Sequence, residues 1–217
     1  MKVTLPVAIS LGLVAFTVAL AVWGYVVLPA DATIAIHYTG LDGRSHPNMP
    51  KGPGLALLPA VSAIVLISVA TSTRVLGRRR WEGTAEVRGL LVTTLAALFL
   101  VAEGALIAQG LNPRFDAFRW IFMAAALLLL LVGNALGKVR HNFALGVRTY
   151  WTLSDARVWD KTHRFTGRVM VLGALALAAF CAFAPNHGLL IATLVLAAAG
   201  PVVAGAVYSA RIAARED

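Results

Sequence analysis

The sequence predicts an all-α integral membrane protein, a six-transmembrane-helix bundle with both termini cytoplasmic. Three observations carry that expectation. The chain is 59% hydrophobic and only 13% charged, with a mean hydropathy of +0.78, whereas soluble domains carry about 25% charged residues. Six apolar stretches approach or exceed the roughly 20 residues a helix needs to cross hydrocarbon. The charges fall almost entirely between those stretches. A β-barrel would alternate polarity in segments of about ten residues, and runs such as 124–132 show no alternation.

The expected spans are Leu5–Leu28, Gly54–Thr71, Gly89–Gly110, Trp120–Leu136, Phe165–Ala184 and Gly188–Ala213. The first begins after Lys2 and is followed by the triplet Ala30-Asp31-Ala32, as in a signal peptide. Its apolar part is too long for that, since such cores run to about 7–15 residues, so it is read as a true span. Pro29 ends it. The loop that follows contains Gly40, Gly43, Pro47, Pro50, Gly52 and Pro53, too much punctuation for a long helix. Pro59 falls near the start of the second span, where proline costs little. Pro201, beside Gly200, lies inside the sixth span and is expected to bend it or be compensated by neighbours.

Thr152 followed by Asp155 has the spacing of a capping box, so a helix is expected to start there and continue into the fifth span. Along that helix Arg157, Lys161, Arg164 and Arg168 recur on one face, and Trp159, His163, Thr166 and Met170 recur nearly opposite. The aromatic and polar set is expected to face the bundle. The basic set is expected to meet anionic lipid headgroups, at about 1 kcal/mol per residue.

The net charge of +9 fits the bias of Lys and Arg toward cytoplasmic loops. Lys2, the loop with Arg74, Arg78, Arg79, Arg80 and Arg88, and the loop from Lys138 to Arg168 are basic, as are Arg211 and Arg215. The intervening loops hold only Arg44, Lys51, Arg114 and Arg119. Fifteen of nineteen basic residues then lie on the side of the termini. No basic groove interleaved with aromatics is present, so nucleic acid is not an expected partner. The single cysteine, Cys181, forbids an intramolecular disulfide and reads as a packing residue.

Two segments carry a resemblance. Leu28-Pro29, Ile34, His37, Gly40, Asp42, Gly43 and Lys51 are similar to the LP…I…H…G…D…K signature of a small bacterial membrane module, with the Gly40-to-Asp42 spacing one residue short. Gly133-Asn134, Lys138, Asn142, Gly146, Arg148-Thr149, Trp151-Thr152-Leu153, Trp159, Thr162-His163-Arg164 and Gly167 resemble the core signature of the SdpI-like family. That family takes its name from an immunity protein against a sporulation-delaying toxin. Tyr150 stands where the family usually has proline.

The resemblance implies a multi-pass protein of the bacterial cytoplasmic membrane associated with peptide-toxin immunity or signalling. The two modules divide the chain into a two-span part, 1–88, with external loop 29–53, and a four-span part, 89–217, with cytoplasmic signature loop 137–164. Carried over by motif, the ligand-binding candidates are His37, Asp42, Asn134, Asn142, Arg148, Thr152, Trp159, His163 and Arg164. The expected partner is a peptide toxin or similar hydrophobic ligand, and the cytoplasmic loops offer a place for a regulator. No cofactor is implied.

Two other readings stay open. Glu103 lies within the third span, where an ionisable residue is expensive and often functional, and with Gln109 and Asn112 it could serve a small proton-coupled carrier. A polar cluster around His163, including Asn134 and Asn142, could instead form an enzyme site, although an enzyme is the less favoured reading. No G-x-S-x-G elbow, Walker loop or H-E-x-x-H pattern occurs. His37, Asp42 and His46 share a loop, and Asp160 and His163 are one turn apart, but neither set specifies a metal site.

Overall fold

The computed structural model describes residues 5–34, 37–38, 45–46, 49–75, 84–142, 145–183 and 187–216. Helix α1 spans Leu5–Val27, α2 Lys51–Val75, α3 Ala85–Leu111, α4 Ala117–Leu136, α5 Tyr150–Ser154, α6 Ala156–Phe183 and α7 His187–Glu216. Strands β1 (Thr33–Ile34), β2 (His37–Tyr38), β3 (Ser45–His46) and β4 (Met49–Pro50) lie between α1 and α2. All helices except α5 contain spans of 20 to 28 residues, about 30–42 Å at the α-helical rise, enough for a hydrocarbon core of about 30 Å.

Burial is inverted relative to a water-soluble bundle. Leu5, Phe16, Val26, Ile64, Ile67, Leu172, Phe183 and Leu196 point outward, while Ser10, Thr17, Ser62, Glu103, Thr162 and Thr166 point inward. Outward large apolar side chains on every long helix need lipid as solvent. The inward hydroxyls of α1 cost little, because Ser10 and Thr17 donate to the carbonyls of Pro6 and Leu13, each at 2.8 Å.

Spans successive in the chain run in opposite directions, which gives the bundle two ends. One end carries the β-strands and is called the hairpin end; the other carries residues 137–155 and is called the signature end. Helices α1, α2 and α3 pack on one another, as do α4, α6 and α7, and α3 joins α4. The first group encloses Ala21, Leu28, Ile34, Leu55, Leu106 and Ile107. The second encloses Phe118, Phe122, Ala126, Leu177, Cys181, Leu190 and Ala197, so Cys181 is a packing residue as expected.

Close approach between helices depends on glycine. A Cβ on Gly167 (α6) would stand 2.5 Å from the carbonyl oxygen of Gly133 (α4), and the reciprocal distance is 2.9 Å. Backbones in this contact are nearer than any side chain permits, the usual device of helices that lack a hydrophobic driving force between them.

The loop after α1 folds back as a hairpin. Thr33 and Ile34 pair with Pro50 and Met49, and His37 and Tyr38 with His46 and Ser45, all antiparallel. Ile34 is buried against Gly54, where a Cβ would fall 2.6 Å from its own. Lys51 Nζ donates to the carbonyls of Tyr25 (3.1 Å) and Leu28 (3.0 Å), closing the end of α1. Leu28, Ile34 and Lys51 of the first signature thus hold the hairpin to the bundle.

Some expectations need correction. Helix α2 starts at Lys51, so Pro53 occupies the first turn and Pro59 stands deeper, inside the helix. There it leaves one carbonyl without its helical donor, which neighbouring helices in a membrane tolerate. Helix α7 continues as one element through Pro201. The expected capping box shifts by three residues. Thr149, not Thr152, caps the short α5, with Thr152 as its reciprocal partner. Asp155 ends α5 and opens α6, its carboxylate accepting from Arg157 N at 2.6 Å and its carbonyl from Trp159 N at 3.0 Å.

The glycine crossing is testable by substitution. Gly167→Leu should lower the thermal midpoint of the detergent-purified protein by the equivalent of about 2 kcal/mol. Gly200→Ala, where nothing lies within 4 Å of the added methyl, should change it by about 0.5 kcal/mol or less. Equal effects at the two positions would contradict the crossing.

Candidate functional site

At the signature end the described residues between α4 and α5, 137–142 and 145–149, form no helix or strand. Such a segment must find partners for each backbone group at the edge of a bilayer. Four side chains supply them. Asn142 Oδ1 accepts from Leu145 N (2.7 Å), and its Nδ2 donates to the carbonyls of Arg140 (2.7 Å) and Leu145 (3.2 Å). Trp159 Nε1 donates to the Val139 carbonyl at 2.8 Å. Thr152 Oγ1 accepts from Thr149 N at 2.9 Å and lies 2.9 Å from the Val147 carbonyl, to which it donates. The fourth is His163.

His163 is 1% exposed, and its ring is held on both sides. Its Nε2 accepts from Val147 N at 3.0 Å, and its Nδ1 lies 2.8 Å from the Trp159 carbonyl. A backbone N–H can only donate and a carbonyl can only accept, so Nδ1 carries the proton and the imidazole is neutral. The ring also stacks on Trp159, centroids 4.0 Å apart, and His141 meets the other indole contact edge-on at 5.0 Å. The loop reaches His163 only through Gly146. That residue has φ +121°, and a Cβ there would fall 2.1 Å from His163 Nε2. Both the backbone conformation and the approach demand glycine.

The platform is tied sideways to α7. Thr149 Oγ1 and Ser209 Oγ are 2.9 Å apart, and a Cβ on Gly205 would stand 2.1 Å from Thr166 Oγ1. The Thr162 and Thr166 hydroxyls are fully buried and meet no hydrogen-bond partner within the protein.

The structure therefore divides the candidates drawn from the sequence. Asn142, Thr152, Trp159 and His163 come together in one buried network. Asn134, Arg148 and Arg164 are exposed and stand outside it. Lys138 and Trp151 are likewise exposed, and so is the basic row Arg157, Lys161, Arg164 and Arg168, opposite buried Trp159, His163, Thr166 and Met170. His37 lies at the other end of the bundle, its backbone paired with that of His46, and Asp42 lies outside the described residues. With both imidazole nitrogens committed to backbone groups, His163 offers no free nitrogen for acid–base work in this arrangement.

Beside the platform, Ala85, Glu86, Val87 and Leu90 of α3 and Ala135, Lys138 and Arg140 line a half-open groove of about 480 Å³.

A second polar cluster, missed in the sequence, sits at the hairpin end. Asp116 caps α4 by accepting from Arg119 N at 3.1 Å, and it also meets Arg119 Nε (3.2 Å) and His187 Nε2 (3.1 Å). Arg119 Nη1 continues to the carbonyl of Cys181 at 2.6 Å. Three helices, α4, α6 and α7, are thus stapled through one carboxylate. Burial alone would raise the pKa of Asp116, but hydrogen bonds from His187 and from the backbone and side chain of Arg119 outweigh it, and the net shift is downward. The only sequence signal was an Asp three residues before a cation at a helix start.

These features define a class: a multi-pass helical membrane protein whose irregular segment is organised by a buried Trp–His–Thr–Asn network. Residues 138–205 match the SdpI/YfhL protein family. Over 86 residues, 40% of this chain, the sequence is 30% identical to the protein named Immunity protein SdpI of Bacillus subtilis (strain 168). The chain spans 41% of the length of that relative. No solved structure matches. The chain is SdpI-like over the matched segment, as its signature implied.

Two predictions follow from this geometry. Gly146→Ala should destabilise the protein by about 1–3 kcal/mol and quench the packing signal of Trp159, read by near-ultraviolet circular dichroism. A spectrum and midpoint like those of the parent protein would show that the loop does not rest on His163. For Asp116, a lowered folded-state pKa means stability present above the ordinary carboxylate value of about 4. It is lost as pH falls through the folded-state value. At this partly exposed site it amounts to about 1 kcal/mol or less. Asp116→Asn should flatten that acid limb in a series of thermal midpoints against pH, and an unchanged acid limb would mean the staple adds nothing.

Proposed function

We propose that this protein is a membrane-embedded immunity protein that binds or neutralises a membrane-active peptide toxin or a similar hydrophobic ligand. The observation that carries the reading is where the family match falls. It covers the segment from Lys138 onward, and that segment has two parts. Its buried members are consumed in holding the loop together, so they would be required for any function. Its exposed members, Lys138, Arg148, Trp151 and Arg164, have no such duty and would form the working face, with Asn134 beside them. Arginine and tryptophan are the residue types that most often dominate binding surfaces.

In this reading both termini and the signature end lie in the cytoplasm, in keeping with the distribution of Lys and Arg. The hairpin with His37 and Asp42 faces outward, toward an arriving peptide. Arg157, Lys161, Arg164 and Arg168 rest on anionic lipid headgroups, and the working face is also where a cytoplasmic regulator would dock. The two-span part, 1–88, and the four-span part, 89–217, act as one bundle.

The test is protection. Expressed in a bacterium sensitive to membrane-active peptides, the protein should raise survival against at least one of them. Arg148→Ala and Trp151→Ala should each weaken protection about tenfold at unchanged protein level, and Glu103→Gln should leave it intact. Equal killing with and without the protein across a panel of such peptides would sink the reading.

A further inference from the structure

Glu103 is the one buried acidic side chain among the described residues, at 0% exposure, and neither of its carboxyl oxygens meets a hydrogen-bond partner in the protein. It sits in α3, eight residues before the helix ends at Leu111, about 12 Å from the hairpin end. The charged or titratable groups on the elements packed against α3 lie elsewhere. Tyr25 of α1 is exposed. Lys51 of α2 is bound to the carbonyls of Tyr25 and Leu28. Arg119 of α4 is bound to Asp116 and Cys181. Arg74 is at the opposite end of α2. Among the described residues, then, no basic group pairs with the carboxyl.

An ionised carboxylate without a partner in a low-dielectric interior costs many kcal/mol, far more than taking up a proton. The neutral acid is the form this site accommodates. A second orphaned group, the Ser62 hydroxyl of α2, lies in the same three-helix unit, eleven residues from the start of its helix and so at comparable depth. Above Glu103, one turn toward the hairpin end, Leu106 and Ile107 join Leu28, Ile34 and Leu55 in a closed apolar cluster. Gln109 and Asn112 do not bond to it: Asn112 Oδ1 accepts from Arg114 N in the turn beyond α3, and Gln109, six residues on from the acid, falls on a different face of the helix.

We propose that Glu103 is a proton-binding site within the membrane, closed toward the hairpin end by the apolar plug that Ile34 completes. The ligand is the proton itself. This goes beyond the immunity reading and does not depend on it, since protection is expected to survive Glu103→Gln.

The experiment uses the full chain in liposomes and dicyclohexylcarbodiimide, a hydrophobic reagent that forms an N-acylurea with neutral carboxylic acids. Peptide mass spectrometry should place the adduct on Glu103, with no adduct at that peptide in Glu103→Gln. The labelling rate should fall by about tenfold as the pH is raised through the titration of the site. Ile34→Ala should increase the rate several-fold. Absence of the adduct, or a rate independent of pH, would overturn the proton site. An unchanged rate in Ile34→Ala would overturn the plug.

Discussion

In hydrocarbon a backbone N–H or C=O without a partner has no water to turn to, and that constraint governs this molecule. Six helices meet it by themselves. The segments between them cannot, and the chain spends its polar side chains there. Lys51 closes the carbonyl end of α1. Asp116 closes the amide end of α4. Asn142, Thr152, Trp159 and His163 together meet backbone groups of Val139, Arg140, Leu145, Val147 and Thr149.

The same constraint explains why so many glycines sit at contacts. Lipid tails are as apolar as leucine, so helices gain little by merely hiding apolar surface from their surroundings. They gain by approaching closely. Gly133 against Gly167 lets two backbones touch, and Gly205 makes room for Thr166. Gly146 serves a different purpose, bringing an amide rather than a helix to its partner, and its positive φ marks the difference.

Much of this was legible in advance. Span number, approximate limits and the two faces of α6 follow from hydrophobic periodicity, because period and length are properties of neighbouring residues. The cap of α5 was placed three residues late, since Thr149 and Thr152 offer the same chemistry and only the fold decides which one sits at the helix boundary. Of the Asp116–His187–Arg119 staple only the local Asp116–Arg119 cap left a mark in the sequence. His187 joins it from the start of another helix, 71 residues on, and no local pattern marks such a meeting. Nor could the sequence tell that His163 uses both nitrogens structurally. A histidine in a motif looks alike whether it binds a ligand or a loop.

That last point bears on how the signature is to be understood. A long motif invites the view that each of its residues touches a ligand, yet here its paired Trp159 and His163 are sealed from solvent and occupied by the protein's own backbone. Burial costs such groups their reactivity but gives the loop a fixed shape, and a fixed shape is what exposed residues need to act as a surface. Lys138, Arg148, Trp151 and Arg164 are flexible or bulky side chains whose positions would mean little on a floppy segment. Set on and around a loop pinned by Asn142, Thr152, Trp159 and His163, with Trp151 on α5 and Arg164 on α6, they present charge and an indole in a set arrangement. On the proposed function, loss of a buried member and loss of an exposed member should therefore fail differently, the first through the shape of the loop and the second through the contact proposed for it.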